Sequence, residues 1–173
     1  LEAHNARFEV IRGEFETDFG QYNFEVPSKN KATLGIIAGG VSYAIARDLV
    51  EALGREDVAI LKIGTPVPLP LNLVDDFIAR HGKVLVLEET FPVIENQLLD
   101  RTKVMGRWNG WVPKAGELVP EVVESVLLRA LGLEAQADPA LDSLAAAREK
   151  LKLAVKKPVL CAGCGHRPSY FSI

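Results

Sequence analysis

Residues Thr33–Ala46, TLGIIAGGVSYAIA, constrain the fold more than any other stretch of the chain. The apolar run Leu34–Ala38 crosses Gly39-Gly40 and becomes a helical pattern. An apolar strand fed through glycines into a helix is the opening of a βαβ unit. The same layout recurs further along, so the expected fold is a three-layer α/β/α, doubly wound, mostly parallel sheet.

The pattern is regular from Thr33 onward. The first helix should run from about Ser42 to Leu53, with Val41, Ala44, Ile45, Leu49, Val50 and Leu53 on one stripe and Gly54 as its stop. Val58–Ile63 and Val84–Leu87 are nearly continuous apolar runs, the mark of strands buried on both faces. Between them Pro66, Pro68 and Pro70 impose a rigid extended loop. Asn72 is a candidate N-cap for a helix ending near Arg80, where His81-Gly82 stops it. A further helix is expected over Pro92–Arg101, a short strand over Thr102–Met105 and a loop over Gly106–Gly116. Pro120 suits the first position of a last helix that ends at Gly132.

The flanks read differently. Residues 1–32 form an N-terminal arm or linker, with edge strands as one option near Phe8–Ile11 and Phe15–Thr17; the turn chemistry of Pro27–Asn30 marks the boundary. Residues 33–132 are the α/β domain, and residues 133–157, rich in alanine, glutamate and lysine, a partly helical linker in which Asp138-Pro139 starts a helix. Residues 158–173 open with the apolar Pro158-Val159-Leu160 and enter CAGCGHR, as if starting another domain.

Composition removes some classes of function. A formal charge of −3 gives no electrostatic reason for a nucleic-acid or membrane partner. No apolar run approaches the roughly 20 residues that span a bilayer, and the first residues do not read as a secretory signal. The two cysteines, Cys161 and Cys164, form one C-x-x-C, which suits a reducing cytoplasm better than a disulfide framework.

Four places carry candidate chemistry. Gly35, Gly39 and Gly40 fit neither the dinucleotide nor the P-loop template, and Lys62 lies where a ribose-binding acid would stand; the turn either cradles a phosphate or packs tightly. Glu88 and Glu89 end a strand on the edge where open α/β sheets bind ligands. They are an acid–base pair if their environments split their pKa values, or else anchors at the next helix. Arg107, Trp108 and Trp111 are a stacking platform or packing residues. Cys161-Ala162-Gly163-Cys164 places two thiolates for one soft metal, with a redox dithiol and two inert thiols as the alternatives.

Taken in order, GIIAGGVSY (35–43), ILKIGTPVPLP (60–70), LEETFPVIENQ (87–97), GRWNGWVPKAGELVPEVV (106–123) and KPVLCAGCGHRPSYF (157–171) resemble the large (alpha) subunit of indolepyruvate ferredoxin oxidoreductase. The resemblance implies that residues 33–132 are a transketolase C-terminal-like domain and that residues 158–173 are the truncated start of the pyrophosphate-binding domain. It implies a parent enzyme with thiamine diphosphate, Mg2+ and [4Fe–4S] clusters that decarboxylates aryl-pyruvates, forms an acyl-CoA and reduces ferredoxin with a small (beta) subunit. Cys161 and Cys164 match the positions of two cluster ligands in related enzymes, where Ala162 replaces a usual proline. The family's G-D-G…N metal-diphosphate motif is not in these residues, so this stretch alone is expected to hold no cofactor and no catalytic residue. The competing expectation is a free-standing flavodoxin-like module that binds a nucleotide or phosphate at Gly39-Gly40.

Overall fold

In the computed structural model, Leu34–Ala38 forms the middle strand of a five-stranded sheet, buried along its whole length. The structure describes residues 2–89, 91–134 and 139–151 together with positions 163, 164, 166, 169 and 172. The chain divides into two compact units, Leu1–Ala135 and Gln136–Ile173. In chain order the first unit comprises α1 (Glu2–Glu16), a 3-10 turn (Gly20–Tyr22), β1 (Phe24–Val26), β2 (Leu34–Ala38), α2 (Gly40–Ala52) and β3 (Val58–Lys62). These are followed by α3 (Leu71–Arg80), β4 (Val84–Leu87), α4 (Val93–Gln97), β5 (Val104–Met105) and α5 (Pro120–Leu131). The described part of the second unit contains α6 (Pro139–Leu151), where the Asp138-Pro139 signal put a helix.

The strand order is β1-β3-β2-β4-β5. β2 pairs in parallel with β3 (Leu34 opposite Val58) and with β4 (Gly35 opposite Val84), and β4 pairs in parallel with β5. Only β1 runs antiparallel, with Phe24 opposite Lys62. The expected doubly wound, mostly parallel sheet is thus the one observed. Leaving β2 the chain winds to β3, and leaving β4 it winds to β5 on the other side. The carboxyl ends of β2 and β4 therefore lie side by side at the point where such sheets form a crevice.

Alternation along β2 splits the core between the two faces. Leu34, Ile36 and Ala38 pack with Leu85, Leu87, Val123 and Leu127 on the face covered by α2 and α5. Ile37 packs with Leu61, Val74, Phe77, Val86 and Ile94 on the face covered by α3 and α4. Gly35 also points toward α3, where a Cβ would come within 2.8 Å of the Phe77 ring, so β2 has room for no side chain there. α5 ends as its sequence indicates, on Gly132 at φ +70°.

Four local expectations are corrected. Asn72 does not cap α3: it is the second residue of that helix, whose cap position is Pro70, and its side chain bonds Glu16 instead. The candidate edge strands at Phe8–Ile11 and Phe15–Thr17 are helix as far as Glu16, with Thr17 in the turn that follows, because Glu, Ala and Arg are strong helix formers and Phe8, Ile11 and Phe15 repeat at helical spacing. The strand ahead of Pro27 is instead β1, which joins the same sheet as the regular region. α4 stops at Gln97 rather than Arg101, since Leu98 turns extended (ψ 129°) and buries its side chain.

Candidate functional site

At the first glycine turn, space dictates the sequence. A Cβ on Gly39 would stand 2.6 Å from the Ile63 carbonyl oxygen, and Gly40 adopts φ +53°, a conformation that side chains resist. Both glycines are explained by the passage from β2 into α2. Beside the turn, the Lys62 ammonium lies 5.1 Å from the Phe24 ring centre and 5.5 Å from that of Tyr43.

Glu88 and Glu89 stand at the carboxyl end of β4, as their sequence position requires, and both are engaged as hydrogen-bond acceptors. The buried Glu88 carboxylate accepts the backbone N–H of Ile94 at 2.5 Å and of Glu95 at 3.0 Å, so it caps the start of α4. Burial pushes its carboxyl above the ordinary glutamate value; these two donors and the Arg107 charge oppose that shift, whereas Glu95 reinforces it. Glu89 accepts the Leu118 N–H at 2.7 Å and so ties the incoming strand end to the approach of α5. The pair anchors neighbouring segments and is not arranged as an acid and a base.

Two further buried ionisable groups complete this knot. Glu95 is 1% exposed and accepts the backbone N–H groups of Arg107 at 2.6 Å and Trp108 at 3.3 Å. Gly106 makes the approach feasible, because a Cβ there would fall 2.3 Å from Glu95 Oε1. The buried Arg107 guanidinium donates to the carbonyls of Glu88 (3.0 Å) and Lys114. Arg107 is therefore an internal clamp rather than part of a stacking platform. The two tryptophans diverge: Trp111 lies under the Arg129 guanidinium at 4.5 Å, while Trp108 donates its Nε1–H to Asn96 at 2.9 Å.

The proline loop is held by two amides. Asn23 accepts the N–H groups of Gly64 (2.9 Å) and Thr65 (3.1 Å), and Gln97 accepts that of Leu69 (2.9 Å) while donating to the Pro66 carbonyl (2.7 Å). Sequence reading did not single out Asn23, Glu95 or Gln97. The one available signal was polarity at inward positions, since Glu95 sits between the apolar Ile94 and Leu98.

This edge carries two hollows that share Lys114. One of about 200 Å³ is lined by Phe91, Pro92, Arg107, Trp108 and Lys114. The other, about 470 Å³, is lined by Glu89, Lys114, Ala115, Gly116 and Glu117. A larger one of about 510 Å³ opens between α2, β1 and β3 at the amino end of β3. Its cations are already paired, Arg47 with Asp48, Arg55 with Asp57 and Lys29 with Glu56.

Of the candidate metal ligands, Cys161 lies outside the described residues. Cys164 is partly exposed, with its Sγ 3.4 Å from His166 Nδ1. Among the described residues no group of three or more His, Cys, Asp or Glu could hold a metal ion, and no helix is long and apolar enough to cross a membrane.

No protein-family model matches the chain. It is 36% identical over 157 residues to the indolepyruvate oxidoreductase subunit IorA of Thermococcus kodakarensis, a match covering 86% of this chain and 24% of that protein. To the subunit of the same name from Archaeoglobus fulgidus it is 35% identical over 146 residues, covering 81% of this chain and 23% of the other. The chain spans about a quarter of the length of these curated relatives. Among solved structures, a 2-oxoglutarate:ferredoxin oxidoreductase from Magnetococcus marinus shares the fold, with a TM-score of 0.52 and 20% identity over 68% of this chain and 21% of that one. The resemblance seen in the residues is thereby borne out.

Proposed function

We propose that this chain is the structural α/β domain of the large subunit of an indolepyruvate:ferredoxin oxidoreductase. The observation that carries this reading is its similarity, along most of its length, to curated IorA subunits. The whole enzyme would oxidatively decarboxylate aryl-pyruvates, transfer the acyl group to CoA and reduce ferredoxin, together with a small (beta) subunit. Thiamine diphosphate would supply the carbanion chemistry when bound.

The described residues do not fit as a seat for that cofactor. A metal-diphosphate site wants convergent oxygen ligands, and among the described residues no cluster of three or more His, Cys, Asp or Glu is placed to hold a metal ion. Glu88 and Glu95 on the carboxyl edge already accept two backbone N–H groups each, and Glu89 accepts one. No catalytic step is routed through this domain. Its contribution is to hold a rigid edge against which the rest of the enzyme is built. Cys161 and Cys164 would act only in the longer protein, as thiolate ligands to a [4Fe–4S] cluster.

Calorimetric titration of thiamine diphosphate with Mg2+ tests the division of labour. Binding is expected to the assembled large and small subunits and not to this chain by itself. Tight binding of a flavin or nucleotide to this chain at the Gly39–Ser42 turn would overturn the reading in favour of a flavodoxin-like module.

A further inference from the structure

The smaller hollow on the carboxyl edge has a chemistry that the anchoring role of its neighbours does not use. Phe91 and Trp108 are 61% and 55% exposed, large aromatic surfaces left in water beside one another. Trp108 is held in place, through its ring N–H on Asn96 and its backbone N–H on the buried Glu95. An aromatic anchor fixed in advance loses little freedom on contact, which is how interface hot spots are made. The cavity, about 200 Å³, is below the roughly 300–1,000 Å³ of small-molecule pockets and matches one inserted side chain.

Charge narrows the occupant. Lys114, on the rim of both hollows, enters none of the ion pairs among the described residues. The Glu89 carboxylate nearby accepts the Leu118 N–H, Glu117 lines the larger hollow but forms no ion pair with Lys114, and Glu88 and Glu95 are buried in their own bonds. An unpaired ammonium beside an aromatic slot is complementary to a carboxylate next to an apolar side chain.

We infer that this corner seats another part of the same longer subunit, which places an apolar side chain between Phe91 and Trp108 and a carboxylate on Lys114. The inference rests on the proposed function: the chain spans about a quarter of its relatives, and the remainder of such a subunit must pack against some of this surface.

Covalent footprinting of the complete large subunit tests it. Trp108 is oxidised with N-bromosuccinimide and read by peptide mass spectrometry, with N-acetyl-tryptophanamide as the exposed reference. The expected result is oxidation slowed by about tenfold or more, as for a site reached only by local opening. Lys114→Glu, and more mildly Lys114→Gln, should restore it. Oxidation near the reference rate, protection that appears only when the small subunit is added, or protection unaffected by both variants would each overturn the inference. Ferredoxin reduction by the same preparation is scored separately. An active enzyme with exposed Trp108 removes this inference alone, and an inactive protein with protected Trp108 removes the functional reading alone.

Discussion

Glu95 accepts the backbone N–H of Arg107 at 2.6 Å, and through that bond a helix of one face fixes the loop that follows the last strand. The same carboxylate holds Trp108, and Gly106 lies against it with no space for a side chain. The position of the exposed aromatic corner is therefore set from inside the protein.

Replacing Glu95 should cost more than a surface charge would. Glu95→Ala leaves two N–H donors without their acceptor and opens a polar hole, so a loss of about 2–3 kcal/mol is expected. Glu95→Gln keeps one acceptor oxygen and should lose less. Urea denaturation measures both; an alanine variant within the scatter of wild type would mean that water replaces the carboxylate.

The glycine turn can be tested for packing. Gly39→Ala drives a Cβ onto the Ile63 carbonyl, and Gly40→Ala forces a side chain into positive φ. A destabilisation of about 1–3 kcal/mol is expected for each, read from the same denaturation curves. Two neutral substitutions would reopen the question of what these glycines are for.

Stability should depend on pH through Glu88 with a definite sign. Burial raises its carboxyl in the folded protein, so the folded state holds that proton more tightly than the unfolded chain. This contribution is complete below the ordinary glutamate value and is lost as pH rises through the raised one. Glu88→Gln lacks the decline, so the stability of wild type relative to the variant should fall as pH rises through that window. A relative stability that rises would mean that the N–H donors outweigh burial. Asp57 runs the other way: the Thr33 hydroxyl and Arg55 hold its carboxyl low, so its contribution fades as pH falls.

Asn23 ties three segments together. Its side chain bonds the N–H groups of Gly64 and Thr65, the Thr65 hydroxyl and the Phe15 carbonyl. Asn23→Ala should cost about 2 kcal/mol and speed amide exchange selectively at Gly64 and Thr65. Unchanged exchange at these two amides would show that the prolines alone hold the loop.

The sheet was legible because its strands are buried on both faces, so Leu34–Ala38, Val58–Ile63 and Val84–Leu87 stand out as apolar runs. The N-terminal helix was not, because it buries none of its residues and the helical spacing of Phe8, Ile11 and Phe15 is set among charged residues with Gly13 as a break. Glu88 and Glu89 were recognisable from their place at a strand end. Their partners were not, since the donors are backbone N–H groups, which every residue but proline carries. Glu95, Asn23 and Gln97 act through long-range contacts whose spacing in sequence has no pattern.

As proposed, this chain is one domain of a larger thiamine-dependent oxidoreductase. The direct measurement is reduction of ferredoxin by the complete large subunit copurified with its small subunit, supplied with indolepyruvate, CoA, thiamine diphosphate and Mg2+. Reduction that requires both the aryl-pyruvate and CoA, and that stops when thiamine diphosphate is removed, is the expected result. An intact, cofactor-loaded assembly that transfers no electrons from any aryl-pyruvate would contradict it.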